Sequence, residues 1–178
     1  MNDWRSDVLK FWFRLPYEQQ FNGDSALDDR TRQQFLKLWT EKRQLPAVEF
    51  LTDPLTALAG VILFDQFPRN MFRGHAEQFA TDHLALAIAK GALDSGFDGD
   101  LEPVERAFLY MPFEHSENIA DQNRSMLLFA ALGDQRFLKY AKLHHDVIER
   151  FGRFPHRNAI LGRRARSDEL AAGEAMPW

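Results

Sequence analysis

The sequence predicts an all-α protein, a helical bundle or superhelix of about seven to eight helices. Three observations carry that reading. Apolar residues recur at helical spacing, as in Phe137, Ala141, Ile148 and Phe151, with His144 in the same stripe. No segment alternates apolar and polar residues as a strand does, and no hairpin signal joins two such segments. Proline, glycine and capping residues punctuate the chain at helical lengths.

Taken in order, Ser6 to Phe13 reads as a first helix, stopped before Pro16. Ser25 to about Glu41 reads as a second, with Leu27, Phe35, Leu38 and Trp39 inward. Asp53 caps a third, with Pro54 at its first helical position. That helix, "PLTALAGVILFDQF", is apolar nearly all round and therefore central, and Pro68 is expected to end it. A fourth follows Thr81 or Asp82 and ends near Gly96. A fifth starts at Pro103 and stops before Pro112. Ser116 is placed to cap a sixth, ending at Gly133. Asp134 caps a seventh, ending at Gly152 in a left-handed stop. A short eighth is expected near Asn158, and residues 166–178 read as a fraying tail. Helix pairs of this size also build tetratricopeptide solenoids, but no 34-residue repeat is visible.

The whole chain has 178 residues, which suits a single helical domain. Its net charge is -4, so non-specific grip on nucleic acid is not expected. It contains no cysteine, which excludes disulfides and thiolate chemistry. The start "MNDWRSDVLKFWF" lacks the pattern of a signal peptide, and no apolar run is long enough to span a bilayer. The expectation is a soluble cytoplasmic protein with no membrane partner.

Polar residues in apolar settings mark a candidate site. Asp65 lies on a stripe with Leu58, Val61 and Ile62 and needs a partner. Arg69 is one candidate, although Pro68 intervenes, and an arginine from residues 150–166 is the other. In "MPFEHSEN", Glu114, Glu117 and Asp121 share one face if the helix reaches that far. His144 points inward, next to His145. The stretch "RFGRFPHRNAILGRRAR" holds six arginines, one histidine and no acid. Gly152 and Pro155 force a turn there, and Phe151 and Phe154 are suited to anchor it in the core. Arginines fixed on such a turn suit bidentate recognition of carboxylate or phosphate. Arg157 is expected to face a cleft with His156 and Asn158. No phosphate loop, nucleophile elbow or zinc-protease motif occurs, and neither metal nor cofactor is expected.

Four segments resemble the bacterial family known as domain of unknown function 924. They are "VLKFWF" at 8–13, "ILFDQFPRNMFRG" at 62–74, "FLYMPFEHSE" at 108–117 and "RFGRFPHRNAILGR" at 150–163. The resemblance implies an all-α, tetratricopeptide-like arrangement and brings no established activity. The family's characteristic polar residues fall here on Asp65, Arg69, Asn70, Arg73, Glu114, His115, Glu117, Arg153, His156, Arg157, Asn158 and Arg163.

Together these residues predict one concave polar site for a small anionic or zwitterionic molecule. Asp65 and His144 would form its floor. Glu114, His115 or His156 would carry any acid–base chemistry. The alternative is a non-catalytic scaffold that holds a peptide or protein partner in a groove. The oligomeric state is not legible.

Overall fold

In the computed structural model of the chain, which describes residues 3–173, all regular structure among those residues is helical. The chain divides into two compact units, residues 1–112 and 113–178.

The first unit opens with α1, Trp4–Phe13. It starts earlier than Ser6 because the Asp3 carboxylate accepts the Arg5 N–H at 3.2 Å. A short α2, Tyr17–Phe21, follows Pro16. Then comes α3, Ser25–Lys42, capped by Asp24. Asp53 caps α4, Pro54–Val61, through the Thr56 N–H at 2.9 Å. As its all-round apolarity predicts, α4 is buried from Thr56 to Val61. The core around it is aromatic: Phe35 and Phe67 centroids lie 4.5 Å apart, and Trp12 packs edge-on against Phe108 at 5.6 Å.

Pro68 does not end the third helix. After α4 the chain makes a π-helical turn, Ile62–Gln66, and continues as α5, Phe67–Met71. A proline costs a helix its own N–H and crowds the carbonyl four residues back, here Phe64. Both difficulties are resolved locally. The Phe67 N–H donates to Ile62, widening the turn. The Phe64 carbonyl turns instead to the buried Thr81 hydroxyl, which donates to it at 2.7 Å. Thr81 precedes α6, Asp82–Asp94.

Helix α7, Pro103–Glu114, also runs through a proline, Pro112, where a stop was expected. Leu109, Met111 and Phe113 on either side of it are buried. Their burial outweighs a helix-interior proline penalty of about 3 kcal/mol.

The second unit contains a hairpin of α8, Ile119–Leu132, and α9, Gln135–Phe151. Asn118 caps α8, accepting the Ala120 N–H at 2.8 Å. Ser116 does not cap it, and donates to Asp121 at 2.8 Å. Asp134 and Gly152 bound α9 as expected, with Gly152 at φ 67°. Phe154 is fully buried with Val147 and Ile148, and Phe151 packs beside them. The expected eighth helix is a single 3-10 turn, Pro155–Arg157. Within the stretch expected to fray, Ser167–Ala172 forms α10, because the Glu169 side chain reaches back to the Arg166 N–H at 2.7 Å. The rest of that stretch, 174–178, lies outside the described residues. No helix among the described residues is long and apolar enough to cross a membrane.

Candidate functional site

In the first unit the marked residues are held in ion pairs and, for Asn70, a hydrogen bond to a carboxylate. Asp65 is fully buried and lies 3.3 Å from Arg69. Arg69 also donates to both Asp82 oxygens, at 2.9 and 3.0 Å. The π turn explains why the Asp65–Arg69 approach survives Pro68: the helix widens there without breaking. Asn70 and Arg73 converge on Asp28, Asn70 at 2.8 Å and Arg73 through two nitrogens at 2.6 and 2.9 Å.

The second unit gathers most of the rest. Arg163 donates to both oxygens of Glu117, at 2.6 and 3.0 Å. The Phe154 N–H donates to the same carboxylate at 2.6 Å. Burial pushes the Glu117 carboxyl up, but Arg163 and that N–H outweigh it and hold the group below its ordinary value. Asn158 continues the chain of contacts. It accepts from Arg163 at 3.0 Å and donates to Glu169 at 2.9 Å. Arg153 then closes on Glu169 with two nitrogens, at 2.6 and 2.9 Å. Arg153 lowers the Glu169 carboxyl to about 2. Glu117, Arg163, Asn158, Glu169 and Arg153 thus form one continuous network.

A second cluster lies at Glu114, His115 and His144. His144 Nδ1 is 2.8 Å from the Tyr140 carbonyl and 3.1 Å from a Glu114 oxygen. A carbonyl only accepts, so Nδ1 carries the proton. Burial first, then the charges of His115, Arg157 and His156, push the imidazole down to about 3. At neutral pH this contact is a hydrogen bond, not an ion pair. One ligand atom each from Glu114, His115 and His144 lie within 4.8 Å of one another. Gln122 clamps the backbone here, donating to the Glu114 and Ser116 carbonyls at 2.6 and 2.7 Å.

Two expectations fail here. Glu114, Glu117 and Asp121 do not share a helical face, because α8 begins only at Ile119. Arg157 does not stand out into a cleft. The 3-10 turn after Phe154 folds it back, and it is only 7% exposed. Its guanidinium lies 4.6 Å from the Phe154 ring centroid and donates to the His115 carbonyl at 3.0 Å. His156 is the exposed member of that turn.

A cleft of about 640 Å³ opens beside the network. Its wall is mostly apolar, including Val147, Phe151, Pro155 and Leu170, and His156, Asn158, Arg163, Arg150 and Glu169 supply polar groups. Of the anticipated residues, His156, Asn158 and Arg163 reach it. Glu114, His115, Glu117, His144, Arg153 and Arg157 are not part of its lining. Glu169 was not singled out in the sequence, and Arg150 was marked there with Arg153 and Arg157 as a candidate partner for Asp65, not as a cleft residue. Arg150 lies in the arginine-rich stretch, and its position at the end of α9 was the available signal.

A solved structure from Agrobacterium tumefaciens, described as a protein of unknown function, is similar to this chain at a TM-score of 0.87. The two are 37% identical, with 96% of each chain covered. No curated protein matches. The family model described as "bacterial protein of unknown function" matches residues 8–173. The chain belongs to that family, domain of unknown function 924.

Proposed function

We propose that the second unit binds a small organic anion with an apolar body in the 640 Å³ cleft. The observation that supports this reading is the character of the wall. Most of it is apolar, and Leu170, 70% exposed, stands on it. The volume falls in the range of small-molecule sites, a few hundred to about 1,000 Å³. Arg163 and Glu169 are already committed to the internal network. Arg150 makes no ion pair among the described residues; its guanidinium lies 4.8 Å from the Phe151 ring centroid. It is the cation best placed to meet a ligand anion, and His156 lines the same cleft.

A small molecule is favoured over a peptide because α9, the following loop and α10 supply the whole wall. A peptide groove would draw on several helix pairs. If a reaction is catalysed, exposed His156 is the candidate acid or base. The lack of cysteine and of a basic excess fits a cytoplasmic small-molecule binder that does not bind nucleic acid. Native mass spectrometry of protein purified from its own host tests the reading. The expected result is a retained organic acid that is lost in Arg150→Glu. Retention unchanged by Arg150→Glu counts against it.

A further inference from the structure

We propose that Glu114, His115 and His144 form a binding site for one divalent first-row transition-metal ion. This site is separate from the cleft proposed above and does not depend on it. Three residues each offer a ligand atom, all within 4.8 Å of one another. They are not a chance surface patch: Glu114 and His144 are buried and His115 is half-buried.

The surroundings support the same reading. His144 Nδ1 lies 3.1 Å from a Glu114 oxygen, so an ion held by both takes the place of the Nδ1 proton, which the ring then carries on Nε2. The backbone carrying the other two ligands is held from outside. Gln122 donates to the carbonyls of Glu114 and Ser116, and Arg157 donates to the carbonyl of His115. Ligands held by such a shell need little rearrangement on binding.

The donor set selects the class of ion. Two imidazoles and one carboxylate suit zinc, cobalt, nickel or iron, whereas calcium and magnesium require mostly oxygen. Three protein ligands leave a position for water. The Arg157 guanidinium beside the cluster opposes a cation, and the Glu114 carboxylate is the group that offsets it. Glu114→Gln should therefore weaken binding although it preserves shape.

Cobalt(II) titration of the full chain, followed by visible absorption, tests the proposal. The expected result is saturation at one equivalent, with the bands displaced by zinc. His115→Ala and Glu114→Gln should each weaken binding roughly tenfold or more. The neighbouring group His145, Asp146 and Glu149 could also offer ligands, but both of its acids are exposed. Glu149→Ala should therefore leave the titration unchanged. His115 is only half-buried, so its alanine variant decides the matter even if His144→Ala does not fold. Absence of saturable cobalt absorption would overturn the site. So would a signal that survives in His115→Ala and disappears in Glu149→Ala.

Discussion

Arg163 holds the Glu117 carboxylate with both arms of its guanidinium, at 2.6 and 3.0 Å, across 46 residues of sequence. Both side chains are mostly buried, 23% and 26% exposed. Arg163→Ala leaves Glu117 with the Phe154 N–H but no charge partner. Hydrogen bonds to charged groups contribute about 1.5–3 kcal/mol each. The expected loss of stability is about 2–3 kcal/mol, read from urea unfolding. A loss below about 0.5 kcal/mol would mean that the pair is an incidental surface contact.

Arg150 and Arg157 should behave oppositely. Arg157 is buried over Phe154 and braces the His115 carbonyl. Arg157→Ala should cost about 2 kcal/mol or more, because it removes packing and a charged donor together. Arg150 is exposed, and Arg150→Ala should change stability by less than about 0.5 kcal/mol. Urea midpoints of the two variants check this. Equal losses would contradict the assignment of structural and cleft-facing roles.

Thr81 offers a test in the first unit. Its hydroxyl is the partner of the Phe64 carbonyl released at the π turn. Thr81→Val removes the donor and keeps the volume, leaving a buried acceptor unsatisfied at a cost of about 1–3 kcal/mol. Thr81→Ser should recover most of it. Thermal melting of both variants measures the difference, and identical melting temperatures would show that the carbonyl has another partner.

Stability should fall with acid, and the sign follows from three depressed groups. His144 is neutral in the fold, with its pKa lowered to about 3. The unfolded chain takes up that proton near pH 6.5, so stability declines as pH falls from about 6.5 toward 3, by up to about 1.4 kcal/mol per pH unit. Glu117 and Glu169 are also lowered, so the fold keeps them ionised where the unfolded chain protonates. Their contribution, full at neutral pH, is lost below about pH 4.5. Urea unfolding between pH 7.5 and 3.5, at roughly unit steps, should show decline beginning near the histidine range. In His144→Gln the decline should begin only in the carboxylate range.

Tight binding to DNA or RNA is not expected at physiological salt. Net charge is -4, and Arg153 and Arg163 of the arginine-rich stretch neutralise carboxylates of their own chain. Sub-micromolar binding with a steep salt slope in an anisotropy titration would contradict this.

Much of this architecture was legible locally. Asp53, Asp134 and Gly152 act on residues within one turn, so their capping roles could be read from the sequence. The anchoring of Phe154 followed from helical periodicity meeting a forced turn. Pro68 and Pro112 were misread as stops because their toleration depends on burial and, for Pro68, on Thr81. Those contacts have no local signature. Asp65 was recognised as a carboxylate needing a partner, whereas Arg163 could not be assigned to Glu117 from 46 residues away. The direction of Arg157 was missed because a single 3-10 turn reverses the expected alternation of faces. Glu169 was hidden in a stretch whose composition reads as a frayed end.

The cleft lined by α9, the following loop and α10 is proposed to take an organic anion with an apolar body. Its most direct test is a methyl-resolved NMR titration of the full chain with octanoate, using octanamide as the uncharged control. Saturable shifts of Val147, Ala159, Ala165, Leu170 and Ala172 are expected with octanoate, much weaker with octanamide and absent in Arg150→Glu. Shifts confined to other methyls, or equal shifts with octanamide and in Arg150→Glu, would contradict it.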